Sequence, residues 1–321
     1  MVVRAWIGVG VAGLTLVGCG GEVVSSEDAG SLGDAPSVES TDAFAPSTPD
    51  AWVPSDAGPL RTDPILPTAA GTCPDMSASG MITVEPAGIP ARQARIWVGE
   101  EAASSDGPLV FFWHGAGGSP NEASYALGDA LDAITAAGGI VIAPVHDPEA
   151  GTFPWYLTAG VTREDDLFVA DELVACAESS IGIDDHHVHS VGFSAGALHT
   201  TQMAFRRASY VASFVAYSGG LISLRAPRTD AADARFAAML LFGGERDEVV
   251  INFATATQNL RTVLANRGDF SIVCDHGMGH TVPSAAIPSA WRFLDDHPYG
   301  MHPAAYEAEG LPDGFYAACE P

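Results

Sequence analysis

From about residue 80 onward the chain breaks into short apolar runs, separated by longer stretches in which apolar residues return every three or four positions. Met81 to Val84 and Ala94 to Val98 read as a pair of antiparallel opening strands. Leu109 to Trp113, Ile140 to Ala143, Val188 to Phe193, Phe214 to Tyr217, Ala238 to Phe242 and Phe270 to Cys274 are apolar without strict alternation, as strands covered on both faces must be. Between the runs, helices are predicted over Asn121 to Ala137, Arg163 to Ser179, Gly196 to Ala208, Asn252 to Asn266 and Ser284 to Asp296. Strands alternating with helices imply right-handed crossovers, hence an α/β class with a mostly parallel central sheet and helices on both faces. Chemistry in such sheets gathers at the carboxyl ends of the strands.

The first 72 residues do not follow this pattern. Residues 1–18 carry Arg4 and then an apolar run from Ala5 to Val17, too short to span a bilayer and long enough for a cleaved export signal. The run ends in Leu16-Val17-Gly18-Cys19, which resembles a bacterial lipoprotein signal, so Cys19 is the expected lipidation site and first mature residue. Residues 19–72 hold nine acidic residues, Arg61, scattered prolines and no periodic apolar pattern. Such a segment buries too little apolar surface to offset chain entropy, and a disordered acidic tether is expected there. Residues 73–321, including the C-terminal tail, are then the single folded domain.

Charge narrows the function. Forty acidic residues face 14 basic ones, all arginine, for a net charge of −26. No basic footprint exists for a phosphate backbone, so nucleic acid is excluded as a partner. The folded domain alone holds 31 acids against 12 arginines, a net −19, so the acidity is not confined to the tether. That field favours neutral over anionic substrates. Besides Cys19 there are Cys73, Cys176, Cys274 and Cys319, an even set that suggests two disulfides in an oxidising compartment, with three connectivities open.

The strand ends carry the chemistry. Gly192-Phe193-Ser194-Ala195-Gly196 follows a strand and opens a helix, the setting in which G-x-S-x-G forms a sharp turn that exposes a serine hydroxyl. His114-Gly115-Ala116-Gly117-Gly118 follows Trp113, and its glycines let backbone N–H groups approach a reacting carbonyl closely. Ala116, Gly117 and Ala195 are the expected oxyanion donors. No G-K-[ST] follows these glycines, which excludes a phosphate-binding loop. Asp247, after the strand Ala238 to Phe242, is the candidate carboxylate, with Glu248 and Asp269 as rivals. His280, after the strand Phe270 to Cys274, is the candidate base, with His276 as its rival. His114 is expected to order its loop and, with Trp155 and Tyr156, to line the acyl or leaving-group pocket. His186, His187 and His189 suit a solvated strand entrance better than a metal site, and neither a metal nor an organic cofactor is expected.

The chain order Ser194, Asp247, His280 resembles that of the α/β-hydrolase superfamily, and within it the secreted polyhydroxybutyrate depolymerase and feruloyl esterase group. The resemblance spans about Leu109 to Leu294 and rests on HGAGG, Asp165-Asp166-Leu167-Phe168 before the helix leading to Asp184, GFSAG, the G-x-x-D-x-x-V loop and G-H-T-V-P. Val282 departs from it, standing where many of these esterases carry tryptophan. The resemblance implies Ser194 as nucleophile, Asp247 as acid and His280 as base, without a cofactor. The expected protein is an exported, lipid-anchored ester hydrolase of the cell envelope, periplasmic, on the cell surface or released. It is expected as a monomer whose partners are a small or polymeric ester and a membrane held through the N-terminal lipid. A serine peptidase with the same triad and a non-catalytic binding lipoprotein are the alternatives the sequence leaves open.

Overall fold

The computed structural model describes residues 59–158 and 162–321. The expected signal peptide, Cys19 and the tether as far as residue 58 lie outside the described residues. Nine strands form one sheet: β1 (Gly80–Val84), β2 (Arg92–Val98), β3 (Leu109–Trp113), β4 (Ile140–Pro144), β5 (Val188–Phe193), β6 (Ser213–Tyr217), β7 (Ala237–Phe242), β8 (Phe270–Asp275) and β9 (Cys319–Glu320). Their spatial order is β1-β2-β4-β3-β5-β6-β7-β8-β9. The six strands from β3 to β8 run parallel, while β1, β2 and β9 pair antiparallel at the two edges. Every residue of β3, β4, β6 and β7 is buried, as continuous apolar runs require.

The helices are α1 (Ala102–Ser105), α2 (Glu122–Leu127), α3 (Asp129–Ala136), α4 (Asp165–Ile181), α5 (Ala195–Arg206), α6 (Phe253–Arg267) and α7 (Ile287–Asp295). The helix expected over Asn121 to Ala137 is two helices, because Gly128 turns to φ +46 between α2 and α3, where a Cβ would come within 3.1 Å of the Ile287 side chain. Two apolar cores result, one on each face of the sheet, centred on Phe111, Trp113 and Phe214 and on Phe112, Met239 and Phe293.

Residues 59–72, expected as part of the tether, are within the described residues. They lie along the domain: the Arg61 N–H and guanidinium bond the Asp233 carbonyl and carboxylate, and the Ile65 N–H donates to Ser209. Ala70 and Gly71 N–H both donate to the buried Glu172 carboxylate at 2.9 and 2.8 Å. These are backbone anchors, which leave no trace in an apolar pattern. Disulfides join Cys73 to Cys176 and Cys274 to Cys319. Each closes a long loop and removes about 4 to 5 kcal/mol of unfolded-chain entropy. Among the described residues no helix is long and apolar enough to cross a membrane.

Asp166, in the first turn of α4, ties separate segments together. It and Asp147 hold the buried Arg92 guanidinium between them, each at 3.1 Å, and it also accepts the Tyr156 N–H at 2.8 Å. This fixes the 147–158 segment beside the end of β3.

Two buried imidazoles predict acid sensitivity. Burial pushes His199 down to about 3 and His114 down to about 4. Both stay neutral in the folded protein while their unfolded counterparts take up protons below about pH 6.5. Stability is therefore fully present above that pH and falls toward pH 4, by up to about 1.4 kcal/mol per pH unit for each group. Asp166 and Asp269, which burial raises, titrate with the opposite sign at the acid end. The urea midpoint is expected to drop between pH 7 and pH 5.5; a constant or rising midpoint would contradict this account.

Candidate active site

Ser194 sits between β5 and α5 with φ +55 and ψ −121, a region that side-chain-bearing residues avoid. The turn is this tight because neighbouring backbones touch. A Cβ on Gly196 would lie 1.8 Å from the Trp113 carbonyl oxygen, and one on Gly192 would lie 2.3 Å from the Gly196 oxygen. Only glycine fits at either position. The Ser194 N–H donates to Tyr217 O, so the strain is held in place by the neighbouring strand.

The His280 Nε2 stands 2.9 Å from Ser194 Oγ, and its Nδ1 stands 2.7 Å from Asp247 Oδ1. Asp247 is fully buried and its other oxygen accepts the Ser218 hydroxyl at 2.8 Å and the Gly243 N–H at 2.9 Å. Burial pushes this carboxyl upward, but the bonds from His280, Gly243 and Ser218 outweigh it and hold it below the usual range. An ionised carboxylate only accepts, so His280 carries its proton on Nδ1 and presents the Nε2 lone pair to the Ser194 hydroxyl. Phe193 and Phe253 both pack against the imidazole, each with its ring centroid 4.8 Å away. The sequence rivals lie elsewhere: Glu248 is exposed, Asp269 pairs with Arg267, and His276 accepts the Met278 N–H.

The glycine loop is clamped at one peptide. The Gly115 carbonyl accepts His114 Nδ1–H at 2.8 Å and Gly118 N–H at 3.0 Å, and the Gly115 N–H donates to Glu122 at 2.7 Å. A trans peptide points its N–H opposite its carbonyl, so pinning Gly115 O turns the Ala116 N–H outward. The N–H groups of Ala116, Gly117 and Ala195 find no acceptor among the described residues. Gly115 packs against Ser194, where a Cβ would come within 3.3 Å of the serine Cβ. The α5 N-terminus adds its positive dipole end at the same point.

His114, Trp155 and Tyr156 do not line a pocket as expected. The first two are fully buried and Tyr156 is 2% exposed. Trp155 Nε1–H donates to His114 O at 3.0 Å, and His146 Nδ1 donates to His114 Nε2 at 3.2 Å. His114 and Trp155, with ring centroids 4.8 Å apart, form the floor under the glycine loop, while the Tyr156 ring lies under the Arg163 guanidinium. Of the histidines expected at a solvated strand entrance, His186 and His187 are partly exposed there, whereas His189 is inside the sheet. His187 bonds Asp184, and His189 is buried against Ser213. Sequence reading missed Glu122, His146, Ser218 and Phe253. Two of them, His146 and Ser218, stand within two residues of the carboxyl ends of β4 and β6, so the strand-end rule applied to every strand would have found them.

No profile of a known protein family and no curated protein matches the sequence. Solved structures do match by shape. The fold is similar to that of native pOPH, with 18% identity, a TM-score of 0.62 and coverage of 78% of this chain and 96% of that one. Native sOPH gives 15%, 0.56, 78% and 96%. An S-formylglutathione hydrolase from Agrobacterium tumefaciens gives 14%, 0.50, 73% and 96%. Together with the strand order, the parallel central strands and the strained turn after β5, these likenesses identify the architecture as the α/β-hydrolase fold.

Proposed function

We propose that this protein is a serine hydrolase that cleaves carboxylic esters. The observation that carries the reading is the continuous relay from Ser194 Oγ through His280 to Asp247, set beside backbone N–H groups with no internal acceptor. Ser194 Oγ attacks the ester carbonyl as His280 Nε2 takes its proton. The negative oxygen that forms is held by the N–H groups of Ala116 and Ala195, with Gly117 beside them. Collapse returns the proton from Nε2 to the leaving alkoxide and leaves an acyl group on Ser194. A water deprotonated by the same imidazole then releases the acid, while Asp247 stabilises the imidazolium in both halves. Among the fold neighbours, pOPH is known in complex with pNPB, and another is an S-formylglutathione hydrolase, which accords with acyl transfer without defining a substrate here.

A serine-directed phosphonate is expected to label the protein once, on the peptide bearing Ser194. Labelling elsewhere, or none, would overturn the assignment. Turnover of esters but not of matched amides would separate an esterase from a peptidase. The finer reading, an enzyme like the polyhydroxybutyrate depolymerases and feruloyl esterases, rests on the HGAGG, GFSAG and GHTVP runs.

The proposed location is the cell envelope, with the chain exported and held through lipid on Cys19. It is supported by the residue 1–19 pattern and by two disulfides, which suit an oxidising compartment. Cys19→Ala is expected to move the protein from the membrane fraction to the soluble one; unchanged partitioning would sink the anchor.

A further inference from the structure

Two imidazoles in series hold the glycine loop from one side. Gly115 O accepts from His114 Nδ1 at 2.8 Å, and a carbonyl oxygen only accepts, so the His114 proton sits on Nδ1. Burial keeps this ring neutral by pushing it down to about 4. Its Nε2 is therefore a bare lone pair, and it lies 3.2 Å from His146 Nδ1. Were His146 to carry its proton on Nε2 alone, two lone pairs would face each other across that gap. His146 must donate from Nδ1, and donation runs from His146 to His114 to Gly115 O.

The last acceptor matters because of the peptide it belongs to. Gly115 C=O and Ala116 N–H are the two ends of one planar group and point opposite ways. A hydrogen bond accepted at the oxygen fixes that plane and polarises it, so the N–H at the other end is aimed and also strengthened as a donor. Gly118 N–H gives the same oxygen a second bond at 3.0 Å, and Trp155 Nε1–H holds the His114 carbonyl at 3.0 Å, so ring and loop keep their register. His114 is fully buried, whereas His146 is half-buried and borders a surface hollow of about 320 Å³ shared with Arg92, Gln93 and Glu149.

Resting on the ester-hydrolase reading above, we propose that His146 is a positioning residue for the reaction: through His114 it sets the Gly115–Ala116 peptide so that the Ala116 N–H meets the oxyanion. It touches no reacting atom. When Ser194 Oγ bonds the ester carbonyl carbon and its proton passes to His280 Nε2, the carbonyl electron pair moves onto the oxygen. Only then is the Ala116 N–H fully engaged, so loss of its support lowers kcat rather than raising KM.

Three variants and one inhibitor test this. His146→Leu fills the space without a donor, His146→Asn puts an amide N–H where Nδ1 stood, and His146→Gln puts one where Nε2 stood, away from His114. Removing an oxyanion donor outright costs about 10²- to 10³-fold. With Gly118 N–H still on Gly115 O, His146→Leu and His146→Gln are expected to lower kcat for p-nitrophenyl acetate by about 10- to 30-fold with KM within about twofold, and His146→Asn to stay within about threefold of the parent. Affinity for an alkyl trifluoromethyl ketone, whose carbonyl takes up Ser194 Oγ to give a tetrahedral oxyanion, is expected to fall by the same factor as kcat/KM. Should His146→Leu fail to fold, the comparison of His146→Asn with His146→Gln decides. Unchanged kcat in His146→Gln would overturn the proposal. So would a raised KM with kcat intact, which would make His146 a substrate contact in the hollow, or a loss in His146→Asn as large as in His146→Gln. If the parent is active and these variants match it, only the role of His146 falls. If the parent hydrolyses no ester and Ser194 takes no phosphonate, the ester-hydrolase reading falls with it.

Discussion

Ser194→Ala is expected to lower kcat for any ester by about 10⁶-fold, the order seen when the nucleophile of a Ser-His-Asp relay is removed. The fold should survive it. Alanine at φ +55 carries a backbone penalty similar to that of serine, and the Ser194 N–H still donates to Tyr217 O. Ala116, Gly117 and Ala195 keep their N–H groups, so a small residual acceleration over water remains from the oxyanion donors and binding. The decisive measurement is ester hydrolysis with the circular dichroism spectrum and urea midpoint checked alongside. Activity within a factor of ten of the parent, with the fold intact, would remove Ser194 from the mechanism.

Asp247→Asn is expected to cost about 10⁴-fold in kcat with little change in KM. The geometry gives the reason. Ser218 Oγ–H and Gly243 N–H both donate to Oδ2, so in the variant the amide oxygen must occupy that position and the NH₂ must face His280 Nδ1. The imidazole is then forced to accept at Nδ1 and to carry its proton on Nε2. In that tautomer it cannot take the Ser194 proton. The variant also loses the negative charge that stabilises the imidazolium. A loss below tenfold would show that Asp247 is not the carboxylate the histidine uses. Asp247→Glu would not rescue, because the fully buried site leaves no room for a further methylene.

The fold was legible because its signals are local and repeated. Apolar runs such as Leu109 to Trp113 and Ala238 to Phe242 can be buried only from both faces, and that requirement leads to a parallel sheet. The triad candidates were legible because the chemistry needs particular residue types at strand ends, and G-x-S-x-G also imposes glycine on either side of the turn. His114, Trp155 and Tyr156 were misread for a different reason. Their position beyond a strand end was correct, but polar or aromatic residues there face either a ligand or the layer beneath, and only packing distinguishes the two. The strap at residues 59–72 was missed because Glu172 holds it through backbone N–H groups, which no residue pattern reports.

The order of strands and helices, the place of Ser194 at a tight turn and the even number of cysteines were readable from the chain alone. Those follow from composition, periodicity and residue type, all carried within a few neighbouring positions. Which distant groups meet was set by the tertiary fold: His280 rather than His276 meets Ser194, Cys73 pairs with Cys176 and Cys274 with Cys319, and Ser218, Phe253 and Glu122 hold the site in place. Each is a contact between segments up to 103 residues apart, and such contacts depend on how twisted strands and packed helices bring distant loops to one end of the sheet.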